Sequence, residues 1–170
     1  MKFKLAVLLT LLAAHAATAE DAAQPKPGSL DYLDWRYGFR DLKFEQSIES
    51  SKDMVLVEDD GDLKFYTRTN DRLELGGAKL QRIEYGYYKG KFATVTMSAD
   101  GEADTAALLK ALEADYGPGR KSPRNATKYY WFGQKALVDY MLNATGQASV
   151  GMWSKPLQAL QHPENETKPK

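Results

Sequence analysis

The chain contains no cysteine and only two histidines among its 170 residues. Without a thiol there is no disulfide framework, iron–sulfur site, thiolate nucleophile or cysteine zinc site. His15 lies in the first segment, and His162 sits beside Pro163 in a polar C-terminal stretch. A Ser-His-Asp arrangement needs a buried, oriented imidazole, which neither position offers. An excess of one charge is lacking too: 23 Lys and Arg stand against 23 Asp and Glu. Nothing in that balance draws nucleic acid. No glycine-rich strand-to-helix turn is present, which argues against a doubly wound nucleotide-binding sheet. The one long apolar run, Leu5 to Ala14, is broken by Thr10 and is too short to span a bilayer as a stable helix.

What is present begins with an address. Lys2 and Lys4 make a basic start, the apolar run follows, and Ala17-Thr18-Ala19 puts small residues before Glu20. This is the pattern of a secretory signal peptide, residues 1–19, cleaved near Ala19-Glu20. Loss of Lys2 and Lys4 shifts the formal charge from zero to −2. A cysteine-free exported chain points to a bacterial periplasm or to secretion, since small secreted eukaryotic domains more often carry disulfides. No stable membrane insertion is expected after cleavage. Residues 20–29, with Pro25, Pro27 and Gly28, read as a flexible lead-in. Residues 161–170, charged and proline-bearing, read as a disordered tail. A single domain is expected over 30–160, and it holds every aromatic residue except Phe3.

Within that domain the hydrophobic period changes several times. The aromatic-rich stretch from Tyr32 to Arg40 reads as extended, and Phe44 with Ile48 suggests a two-turn helix over 44–51. Met54 to Val57 and Leu63 to Tyr66 flank an Asp-Gly turn, a hairpin signal. A second hairpin joins Leu80 to Tyr88 with Phe92 to Ala99 around Lys89-Gly90-Lys91. Leu108, Leu109, Leu112 and Tyr116 form the apolar stripe of a helix from Asp104, its expected cap, to Tyr116. A polar loop follows over 119–126, then strands over 128–132, 135–142 and 147–153. The expectation is an α+β fold: an antiparallel sheet with helices on one face, arranged as two helix-then-strands units.

That order, with the pieces Tyr85-Gly86-Tyr87-Tyr88-Lys89-Gly90-Lys91-Phe92, Tyr116-Gly117-Pro118 and Tyr129-Tyr130-Trp131, resembles small secreted bacterial domains of the helix–loop–strands type. β-lactamase-inhibitor-like modules and the small outer-membrane assembly lipoproteins are of that kind. The resemblance is one of pattern and covers most of residues 38–153. It implies the α+β architecture and transfers no functional residue. The lipidated cysteine of such lipoproteins and the disulfides of such inhibitors have no counterpart here.

Three groups of residues bear on chemistry. Glu58-Asp59-Asp60-Gly61-Asp62 reads as a hairpin turn, because the ligand spacing of a calcium loop is not met. Asp139, in an otherwise apolar strand, and Glu84, between Ile83 and Tyr85, are the alternative acid and base of a carboxylate-type glycan hydrolase. The competing reading pairs each with a cation. Arg36, Arg40, Arg68, Arg72 and Arg82 are interleaved with acids and read as a neutral, salt-bridged surface. The aromatics are the third group. Neighbouring rings in a strand point to opposite faces, so not all can be covered unless Trp35, Tyr37 and Phe39 fold back over them. Tyr85, Tyr87, Tyr129 and Trp131 are taken as the exposed anchors. The resulting expectation is a non-catalytic binding module of the bacterial envelope that recognises a protein or peptide through an aromatic sheet face, with no cofactor and no metal. The alternatives are the hydrolase and a carrier that encloses a small apolar ligand.

Overall fold

A computed structural model describes residues 24–161. The expected signal peptide, His162 and the rest of the expected tail lie outside the described residues. Helix α1, Leu30–Arg36, replaces the extended segment expected there. The Ser29 hydroxyl caps it by accepting from the Tyr32 amide at 3.2 Å, and Leu33 gives it a buried contact. A local cap and one apolar anchor outweigh the weak helix preference of the aromatic residues.

The two-turn helix expected over 44–51 shrinks to a single 3-10 turn, Ile48–Ser50. The cause is long-range pairing. Glu45 takes a positive φ of 69°, and its amide donates to the Phe92 carbonyl at 2.8 Å, while the Ile48 amide donates to Gly90 at 2.8 Å. The backbone bonds a helix would use go to a neighbouring hairpin instead.

Eight strands form one sheet: β1 (Met54–Asp60), β2 (Leu63–Arg68), β3 (Arg82–Tyr88), β4 (Lys91–Asp100), β5 (Arg120–Lys121), β6 (Lys128–Phe132), β7 (Ala136–Leu142) and β8 (Gln147–Ser154). Their spatial order is β1-β2-β3-β4-β8-β7-β6-β5, antiparallel throughout. The β1–β2 hairpin turns at Gly61, whose φ of 64° suits glycine. Helix α2, Glu102–Tyr116, links the halves, and α3, Lys155–Gln161, follows β8. The fold is α+β and repeats one plan: a helix, then a four-stranded meander, twice. The two meanders meet through their last strands, with Val95 opposite Met152 and Met97 opposite Val150. The strand β5 lies within the stretch expected to be loop.

Helices α1 and α2 share one face. Leu33 from α1 and Leu108, Leu112 and Tyr116 from α2 enter a core with Tyr85, Phe92, Val95, Trp131, Val138 and Val150. Asp104 does not cap α2. Gly101 holds that position without a side-chain bond, and the Asp104 carboxylate accepts from the Lys79 amide at 2.9 Å. Asp34 on α1 gathers the amides of Gln134, Lys135 and Ala136 at 2.5, 2.7 and 3.0 Å, so the first helix holds the β6–β7 turn of the second unit. Four of the five interleaved arginines pair with acids, Arg40 with Asp71, Arg68 with Asp41, Arg72 with Glu74 and Arg82 with Glu84, while Arg36 donates instead to the Arg40 carbonyl at 3.2 Å. Among the described residues no helix is long and apolar enough to cross a membrane.

Candidate functional site

The rings expected to be open are the ones the helices cover. Tyr85, Tyr87 and Trp131 are at most 1% exposed, and Tyr129 is half-buried, edge-on to Tyr140 at 6.0 Å. Their polar atoms are spent internally. The Tyr85 hydroxyl donates to Asp71 at 2.7 Å, Tyr87 shares a hydrogen bond with Ser51 at 2.8 Å, and the Trp131 indole donates to the Gly117 carbonyl at 2.7 Å. Tyr85, Tyr87 and Trp131 are therefore core, and Tyr129 packs against it. The reason is tertiary: α2 together with Phe39, Leu42 and Phe44 from the N-terminal segment packs on that face. Of the three residues considered as a cover, Phe39 is buried against Tyr85, whereas Trp35 stays 42% exposed.

The alternation of the strands places a second set of rings on the opposite face. Reading across the register, Phe65, Gly86, Thr94, Trp153, Leu137 and Phe132 form one row over six strands. The next row runs Glu84, Thr96, Gly151, Asp139, Tyr130 and Arg120. Neither α1 nor α2 lies over these rows; α3 reaches this face from the end of β8, where Leu157 and Thr94 are buried and the Tyr88 hydroxyl donates to the Leu160 carbonyl at 3.3 Å. The sequence signal for them was the one-residue offset from the buried set, and only the helix positions say which set is open.

A groove of about 390 Å³ opens on this face. Its floor is made of small residues, Thr96, Ser98, Ser149 and Gly151, and its walls include Trp153, Glu84 and Asp139. The Trp153 ring folds back along β8 onto Gly151, so close that a Cβ there would stand 1.9 Å from the ring. Glycine at 151 is what lets the indole lie flat against the sheet.

Glu84 and Asp139 thus stand on one groove, and each has its own cation. Arg82 pairs with Glu84. Lys128 reaches Asp139 at 2.9 Å, and this hydrogen bond holds the Lys128 ammonium above the usual lysine range. The other Asp139 oxygen accepts from the Gly151 amide at 3.3 Å. The two carboxylates belong to strands three ladder spacings apart, about 14 Å between backbones at the usual interstrand distance. A glycosidase pair needs its carboxyl groups roughly 5–10 Å apart around one bond. Here each is instead turned to a neighbouring cation, and the groove's charge is balanced internally. Among the described residues no cluster of His, Cys, Asp and Glu could hold a metal ion. The arrangement can stack a flat or apolar group on Trp153 and offer short hydroxyls from the floor.

Comparison with known proteins gives no relative: no family model, no curated protein and no solved structure matches this chain.

Proposed function

We propose that the protein is an exported, non-catalytic binding module of the bacterial envelope that takes a peptide or protein segment on the open face of its sheet. The observation that carries this reading is the partly exposed aromatic stretch on the face opposite α1 and α2. Trp153, Leu137, Tyr130 and Phe132 lie on it as register neighbours, beside a groove whose floor is too small-chained to fill it. Rings held rigidly on strands make contact area at little entropic cost, as interface anchors do. Export is supported by the leader pattern of residues 1–19 and by the absence of cysteine. The paired state of Glu84 and Asp139 favours binding over acid–base chemistry.

The test is photo-crosslinking from p-benzoylphenylalanine placed at Ser149, on the groove floor, against the same probe at Asp31 on α1. Ser149 is expected to give a discrete adduct in the envelope that Trp153→Ser abolishes, while Asp31 gives none. A folded protein with no adduct from Ser149, or the same adducts from both positions, refutes the reading.

A further inference from the structure

At the far edge of the same face, β5 and the loop after it build a second groove, of about 400 Å³. Its floor is Tyr130 and Phe132, stacked with ring centroids 5.3 Å apart. Phe132 is 49% exposed, an unusual position for a phenylalanine on a rigid strand. The rim carries Arg120, Lys121 and Arg124, and no carboxylate lines this groove. Among the described residues none of these three cations makes an ion pair. The carboxylate across the ladder from Tyr130, Asp139, is taken by Lys128. The Lys121 ammonium sits 5.5 Å over the Tyr129 ring, which leaves Arg120, opposite Tyr130 in the ladder, and Arg124 as the two guanidinium groups facing an occupant.

The rim is built in advance of any ligand. The Ser122 amide donates to the Lys128 carbonyl at 2.8 Å, and the Lys128 amide donates back to Asn125 at 3.1 Å. The Ser122 hydroxyl accepts from the Arg124 amide at 3.3 Å, and the Asn125 side chain accepts from the Thr127 amide at 3.0 Å. The contrast with the first groove is electrostatic. There, both acids are matched by their own cations. Here, positive charge is concentrated on a protein whose total formal charge is zero.

Guanidinium groups match carboxylates in plane and by paired hydrogen bonds, and a stacked aromatic floor takes a flat or branched apolar side chain. We infer that this edge groove sets the specificity of the binding face and that the segment it takes is an acidic peptide, with an aromatic or aliphatic side chain on Tyr130 and Phe132 and flanking carboxylates on Arg120 and Arg124. This rests on the open-face binding reading and adds the partner's chemistry to it.

The test is an NMR titration of the 15N-labelled protein with the peptide Glu-Phe-Glu-Asp-Glu-Phe-Glu-Asp and with its amide twin, in which Gln and Asn replace the acids. The acidic peptide is expected to shift the amides of residues 119–132 and to bind at least tenfold more tightly than the twin. Its affinity should fall as salt rises from about 50 to 300 mM. Arg120→Glu combined with Arg124→Glu should lose at least tenfold, and Arg120→Lys with Arg124→Lys should keep part of the affinity with an unchanged spectrum elsewhere. Absence of shifts in 119–132, or equal binding of the twin, overturns the acidic-partner inference. If the twin shifts Thr96, Ser149 and Gly151 instead, open-face binding stands without it, and that reading is judged separately by the Ser149 crosslink.

Discussion

The two faces of the sheet are cut from the same strands, yet they have opposite fates. On one, Tyr85, Tyr87, Phe92 and Trp131 are sealed beneath α2 and the N-terminal segment. On the other, one residue along, Phe132 is half-exposed and Trp153 lies flat on a groove floor. The polar atoms of the buried rings of Tyr85, Tyr87, Tyr140 and Trp131 each have a partner. The lesson is that aromatic content does not distinguish a core from a binding surface. The position of the covering helices does, and polar satisfaction follows from it.

The sharpest way to break this comparison is to truncate one tryptophan on each face. Trp131→Ala removes a fully buried indole and its bond to Gly117, and should cost about 3–5 kcal/mol. Trp153→Ala should cost less than about 1.5 kcal/mol, because its ring is only partly buried and lies outside the core cluster. Urea denaturation of both variants measures the difference, and equal losses would erase the distinction between the faces.

A smaller effect is expected at the strap between the units. Asp34→Ala leaves the amides of residues 134–136 without their acceptor and should destabilise by roughly 1–3 kcal/mol, with Asp34→Asn intermediate. Hydrogen exchange should report faster opening of those amides than of the β4–β8 junction.

The covered face also predicts an alkaline limit. Burial raises the phenols of Tyr85, Tyr87 and Tyr140, lifts Tyr116 furthest, and with the Glu45 hydrogen bond pushes Tyr37 up to about 12. A phenol raised on folding gives stability that is complete below its unfolded value, near 10, and is lost as pH climbs through the folded value. Chemical stability should therefore fall between about pH 10 and 12, and Tyr116→Phe should flatten that limb. The acid side has the opposite sign: the hydrogen bond from Arg68 holds Asp41 below the usual carboxylate range. Its contribution is present above the unfolded value, near 4, and disappears as pH falls below it. Asp41→Asn should make the acid limb slightly shallower.

The smallest effect sharpens the open face alone. Gly151→Ala places a methyl where the Trp153 ring lies, so the indole should lift into solvent, with red-shifted emission and a secondary structure unchanged by circular dichroism.

The α+β class, seven of the eight sheet strands and the second helix were legible in the sequence, because alternation, Asp-Gly at 60–61 and the Leu108–Leu112–Tyr116 stripe are local signals. The parity rule was legible too, and so was the placement of Glu84 and Asp139 as polar intruders in apolar strands. Their meeting on one groove required the β4–β8 junction, which joins residues far apart in the chain. The helix over 30–36 and the loss of helix over 44–51 were hidden, one behind a serine cap and the other behind pairing with Phe92 and Gly90.

Sequence by itself determined the class of the fold and the rule that neighbouring rings must part, since both follow from bonds and side-chain directions within a few residues. Tertiary structure alone decided which rings are core and which are surface. A strand presents two equivalent sides, and only the docking of α2 and the N-terminal segment breaks that symmetry, burying Trp131 and leaving Trp153 and Phe132 on the open face.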